Sequence, residues 1–368
     1  IGTKALQLNT TGIENVAVGA NALDANTTGA GHVAVGKEAL SACTTANSNT
    51  AVGQKAAYAL TTGWACVAIG DQAMGAGVVT GNSNNCVGYQ AGEDLTSGSN
   101  NNFFGTYAGE GTTTGEYNCA FGQEALEANT TGSGNVAIGF RTLEVNTTSN
   151  NTGVGFKALM SNTTGTNNTG MGAFALDANT TGDENTAFGY EALGAVTTSN
   201  ANTAMGHHAL ILCTGARNTA LGAYAMDVCT SGNDNSACGV GALGALTGGS
   251  ENAACGRSAL GAVTTGSYNV ALGYNAGGDI TTGDDNVCIG DDAGVGQVTT
   301  TDGDLYIARS STAAGNAATW IAGNSSGTCY QGDNTTTWST VSDRRLKKNI
   351  TDNIKGLAEI NQLRVTNF

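Results

Sequence analysis

Small apolar residues and asparagine return along the chain in one fixed order. "NVAVGANALDANTTG" (residues 15–29) is followed by "HVAVGKEALSACTTA" and then by "NTAVGQKAAYALTTG". The Gly that closes "VAVG" serves as an anchor. It recurs at Gly19, Gly36, Gly53, Gly70 and Gly88 and on to Gly290, at spacings of 16 to 18 residues and mostly 17. Gly2 fits as an earlier anchor. Four residues before the anchor stands Asn in fifteen of seventeen units, with His32 and Cys66 as the exceptions. The residue just before the anchor is always apolar, and the one before that is small, mostly Ala. Ala stands three after the anchor in every unit but one (Thr142), often followed by Leu, and Thr stands eight after in all but two (Val78 and Val298).

A period of 17 is too short for a helical-hairpin repeat, which needs about 33 residues or more. It fits one coil of a β-solenoid. The pattern therefore predicts an all-β chain, a parallel β-solenoid or β-roll of about eighteen coils over residues 1–299. "NVAVG" reads as a strand, and "AL" with its neighbours as a second short strand. "NTTG" reads as the turn. Coils about 4.8 Å apart give a rod of roughly 80 Å. Like positions lie over one another, so the Asn residues should form an amide ladder along the axis.

Residues one and three before the anchor share one strand face, and the small residue between them lies on the other. Both sets are uncharged. A strand buried on both faces needs two covers. One is the solenoid interior; the second is expected to be another copy of the chain, approaching closely over the small residues. Three parallel chains, a homotrimer, is the expected assembly.

Composition narrows the class further. Gly is 56 of 368 residues and Pro is absent, which excludes collagen and suits a chain whose backbone N–H groups are nearly all ladder donors. Residues 1–342 carry a net charge of −18, so phosphate neutralisation and nucleic-acid binding are excluded as its business. No apolar run of about 18 residues is present to span a membrane as a helix. Ile1 falls in mid-phrase, so the chain reads as part of a longer one. Of the ten Cys, Cys86, Cys119, Cys238, Cys255 and Cys288 occupy strand positions used elsewhere by Ala, Val, Thr or Leu, and Cys43, Cys213 and Cys229 sit seven after the anchor, where others have Asn, Leu or Val; this register predicts packed thiols. Cys238 and Cys255 share a register on adjacent coils and are the exception where a disulfide is expected. No metal or cofactor is called for. The pair His207-His208 should point to opposite sides of a strand. Tyr89, Phe140, Phe156, Tyr190 and Tyr274 share the position just after the anchor, and Phe140 and Phe156 should stack on consecutive coils. Such a strip serves either to grip a surface glycan or lipopolysaccharide, or to cover a seam between chains.

The repeat resembles the head repeat of trimeric autotransporter adhesins, and more closely the Asn/Thr/Gly-rich repeats of bacteriophage tail-fibre proteins. The resemblance covers residues 1 to about 299. After a junction at 300–341, "SDRRLKKNI" resembles the opening of the intramolecular chaperone domain of endosialidase-type phage tail spikes. The match rests on Ser342, Asp343, Arg345, Leu346, Lys347 and Ile350. "GLAEINQLR" fits a following helix, with Ile354, Leu357, Ile360 and Leu363 at a spacing of three. Residues 342–368 match only the start of such a domain. The resemblance implies a trimerising folding aid that cuts itself off between Ser342 and Asp343, with Ser342 as nucleophile and Lys347 as base. It also implies the shaft of a virion tail fibre, assembled in the bacterial host with other tail proteins and meeting a surface glycan or protein receptor. The rival readings are a bacterial surface adhesin and an ice-binding solenoid built on its Thr rows. The latter is disfavoured because those rows sit on a turn.

Overall fold

The computed structural model describes residues 1–296, 299–308 and 319–331. Ser342, Asp343, Lys347 and the helix expected after them lie outside those residues. Within them the chain is a parallel β-solenoid and contains no helix. Seventeen strands of three residues each, β1 (Val16–Val18) to β17 (Val287–Ile289), stack in sequence order. Each pairs in parallel with the next at the same repeat position, as in Val16↔Val33, Ala17↔Ala34 and Val18↔Val35. β18 (Leu305–Ala308) adds one further parallel rung on β17. β19 (Thr319–Gly323) and β20 (Cys329–Gln331) then pair antiparallel and cover the edge of β18.

The second strand expected in each coil does not form. "AL" lies in a turn whose φ alternates in sign: Asn21 (57°) and Leu23 (51°) are left-handed, and the same holds in coil after coil. The turn still ladders. The N–H of Asn21 donates back to Thr3 O (2.9 Å), and that of Leu23 donates forward to Ala39 O (3.0 Å). Alternate N–H groups thus serve opposite neighbours without extended backbone, while that of Ala22 between them donates to Gly19 O of its own coil (3.3 Å). The anchor glycine has a different reason. Gly19 has φ 140°, and a Cβ there would sit 2.2 Å from Gly36 O of the next coil. No other residue allows the coils to approach so closely.

Each side chain of the Asn row bonds the following coil twice, once as donor and once as acceptor. Asn15 Nδ2 donates to Gly29 O (2.8 Å), while Asn15 Oδ1 accepts the N–H of His32 (2.9 Å). The pattern repeats along the axis, for example from Asn235 Nδ2 to Gly249 O and from Asn252 N–H to Asn235 Oδ1. From Asn49 onward these amides are buried, so each lost partner there would cost about 1–3 kcal/mol. His32 keeps the pattern by another route. Its Nε2 lies 2.7 Å from Ala46 O and its Nδ1 takes the N–H of Asn49 at 3.2 Å. The ring is therefore neutral and carries its proton on Nε2, and burial lowers its pKa.

Strand burial alternates with the middle residue inside. This reverses the expected assignment of faces. The small Ala and Gly column fills the interior, and the larger column of Val, Ile, Phe, Met and Leu faces out. The narrow coil requires it, because the inner strand position sits against the buried Ala and Leu of the turn. The exception shows the constraint. Phe103 stands where the other coils have Ala, Gly or Cys and is fully buried. Gly92 and Gly109 stand where the flanking coils have Met74 and Leu126, and a Cβ on Gly109 would meet the Phe103 ring at 2.6–2.7 Å. One large ring thus fills the room left by two missing long side chains.

That exchange is reversible by design. Phe103→Ala should lose about 3–5 kcal/mol, and Gly109→Leu about 1–3 kcal/mol by overpacking. Leu126 holds the same turn position at φ 57°, so the backbone itself accepts leucine. The double variant should lose less than the sum, read as a double-mutant cycle in denaturant unfolding; simple additivity would refute the account.

Candidate interaction surfaces

The side chains just before each anchor form an outer column from Val18 to Ile289. Neither this column nor the one two residues earlier contains a charged residue in any of the seventeen coils. Much of it is open: Phe121 is 51% exposed, Met205 47% and Leu272 52%. Monomeric proteins rarely expose apolar surface of this extent. The sequence reading put the small residues on the outward face; the structure puts the larger apolar column there.

The five aromatic residues singled out by register divide. Phe140 and Phe156 do stack on consecutive coils, with centroids 5.5 Å apart and planes 17° apart. Phe174 then stands edge-on between Phe156 and Tyr190, and Tyr190 stacks on His207 at 5.5 Å. Tyr224 closes the strip edge-on against His207. Tyr89 lies apart with Tyr107 (5.5 Å, edge-on), and Tyr274 lies beside the Arg257 guanidinium (5.8 Å). Reading a single register missed Phe174, His208 and Tyr224, which follow the anchor by two. The alternating φ of the turn brings those rings into the same strip. For the same reason His207 and His208 do not point apart: their rings stack at 3.9 Å, and His208 Nε2 lies 3.0 Å from Glu191 Oε2. A sugar ring packs on an open aromatic face, whereas the stacked pairs here spend their faces on neighbouring coils. Each such contact between coils contributes about 0.5–1.5 kcal/mol.

Carboxylates form a third column. Glu93, Glu110, Glu127 and Glu144 follow their anchors by five on four successive coils. Burial, and then the neighbouring carboxylates, hold Glu110 and Glu127 above the usual glutamate range. Carboxylate oxygens of Glu124, Glu127 and Glu144 lie within 4.8 Å of one another. The Arg141 guanidinium reaches Glu124 at 3.2 Å and Glu144 at 2.5 Å. That trio is an ion-pair network with its cation already in place.

No disulfide links the described cysteines. Cys43, Cys66, Cys86, Cys213, Cys229 and Cys288 are buried as expected, and burial pushes the Cys43 and Cys288 thiols up to about 12. Cys238 and Cys255 are exposed.

The glutamate column sets a pH dependence. A carboxyl whose folded-state pKa is raised costs stability while ionised, and the cost is lifted as pH falls through the raised value. Glu110→Gln and Glu127→Gln should therefore raise the unfolding midpoint at pH 7, and the gain over wild type should shrink as pH approaches 4.5. An unchanged or lower midpoint at pH 7 would show that the column carries no such cost.

No family model matches the chain, and no curated protein matches it.

Proposed function

We propose that the chain is the shaft of a bacteriophage tail fibre, a stiff spacer that assembles side by side with copies of itself and holds a receptor-binding element at a distance from the virion. The observation that carries this reading is the outer column. A solenoid with a strongly acidic surface presents one uncharged apolar strip along its full length, and a second rod with the same coil repeat matches that strip rung for rung. Like-charge repulsion opposes self-association everywhere else. A parallel trimer about an axis along the rod is the arrangement the resemblance to fibre and adhesin repeats implies. The aromatic strip suits the border of such a contact better than a glycan platform, because its stacked faces are already occupied. The Thr rows speak against ice binding: the hydroxyls donate to the next coil, as Thr113 Oγ1 does to Thr130 O at 2.9 Å. In this reading the tail from Ser342 onward is a folding aid that leaves by self-cleavage.

Two measurements test the proposal. Light scattering should give a mass several times that of one chain, and Met171→Glu or Leu272→Glu should shift it toward the single chain. A wild-type protein with the mass of one chain would remove the assembly. Expression together with the natural downstream sequence should yield two fragments parting after Ser342, and a single uncut product from Ser342→Ala or Lys347→Ala. An uncut wild-type product would remove the cleavage.

A further inference from the structure

Cys238 and Cys255 differ from the buried cysteines in being exposed, and they are register partners on adjacent parallel strands. They stand in the outer column between Leu221 and Leu272. Two short side chains in a row of longer ones leave a hollow of about 360 Å³, walled by those leucines and Val270, with Ser236 at its edge. No charged residue lines it.

We propose that this hollow is a binding site for a soft, two-coordinate divalent cation with a filled d shell, held between the sulfur atoms of Cys238 and Cys255. Three features support it. The first is span. A linear S–metal–S unit with bonds of about 2.3 Å reaches about 4.6 Å, close to the ~4.8 Å at which the coils set adjacent side chains. The second is softness, since thiolates select such ions over hard cations. The third is charge. Uptake replaces two S–H bonds by two S–metal bonds and releases two protons, so a divalent ion leaves a neutral product suited to an apolar hollow. A monovalent ion would leave a net negative charge there. No electrons are transferred and no oxidant is needed. Desolvation, and then the neighbouring Cys238, hold the Cys255 thiol above its usual range, so uptake weakens as pH falls. The buried pair Cys213 and Cys229, whose sulfurs lie 3.5 Å apart, supplies an internal contrast: a register pair on adjacent coils sealed from solvent.

The site needs only one chain, and the assembly proposed above would cover it with the rest of the outer column, so it is tested on the single chain. The test uses the full chain, reduced, with Met171→Glu to oppose assembly and with Cys119→Ser and Cys329→Ser to remove the partly exposed single thiols. Mercuric ion is titrated against a competing monothiol. The expected result is one ion per chain, two protons released, and joint protection of Cys238 and Cys255 from alkylation. Cys238→Ser should weaken uptake at least tenfold, with circular dichroism confirming an unchanged fold. Two ions per chain, uptake indifferent to Cys238→Ser, or no uptake would each overturn the site. Light scattering on the same samples reports assembly separately, so loss of one reading does not imply loss of the other.

Discussion

Hydrogen bonding from each coil to the next, at fixed register, is the constraint on which the structure depends. A buried asparagine amide is suited to it because one side chain donates and accepts at once. Asn15 reaches Gly29 O with its nitrogen and takes the His32 N–H with its oxygen. An apolar residue would leave a buried N–H and a buried carbonyl without partners, a loss repeated at every coil where it occurred. The glycine anchor answers the same demand sterically, by letting carbonyl and Cα of neighbouring coils come together. Stability is then local and cumulative: each coil is held by its two neighbours, and no central core stands apart from the stacking.

The strictness of the backbone leaves freedom elsewhere, but only in correlated pairs. Phe103 is tolerated inside because Gly92 and Gly109 withdraw from it. Gly277 likewise leaves room beside Leu260, Ile280 and Cys288. Outside, side chains face fewer demands, and there the chain places rings, carboxylates and thiols in columns. A column repeats a chemical group at the coil spacing whether or not that is favourable. Stacked rings gain from it, while Glu93, Glu110 and Glu127 pay in raised pKa values.

The period, the parallel stacking and the asparagine ladder were legible in the sequence because each recurs at every coil. So was the contact of Phe140 with Phe156, which follows from register alone. The "AL" segment was not legible as a turn. Leucine does not favour the left-handed conformation, and hydrogen bonding to the next coil holds Leu23 there. The direction of the strand was also hidden. Alternation tells that Ala17 and Val18 face opposite ways, but which way is inward depends on the width of the coil, set by the turn just misread. The joint position of His207 and His208 was missed for that same reason.

The antiparallel strands at the far end have a consequence for polymer growth. A stack whose every rung templates the next has no intrinsic stopping point, and its open edge would recruit any chain bearing the same phrase. Asp304 takes the place of asparagine in the final rung, accepting the Thr301 hydroxyl through its carboxylate, and it has no amide hydrogen to pass on. β19 then occupies the edge of β18 with strand polarity reversed, so no parallel coil can dock on β18. The rod is thus terminated at that end by a change of strand direction.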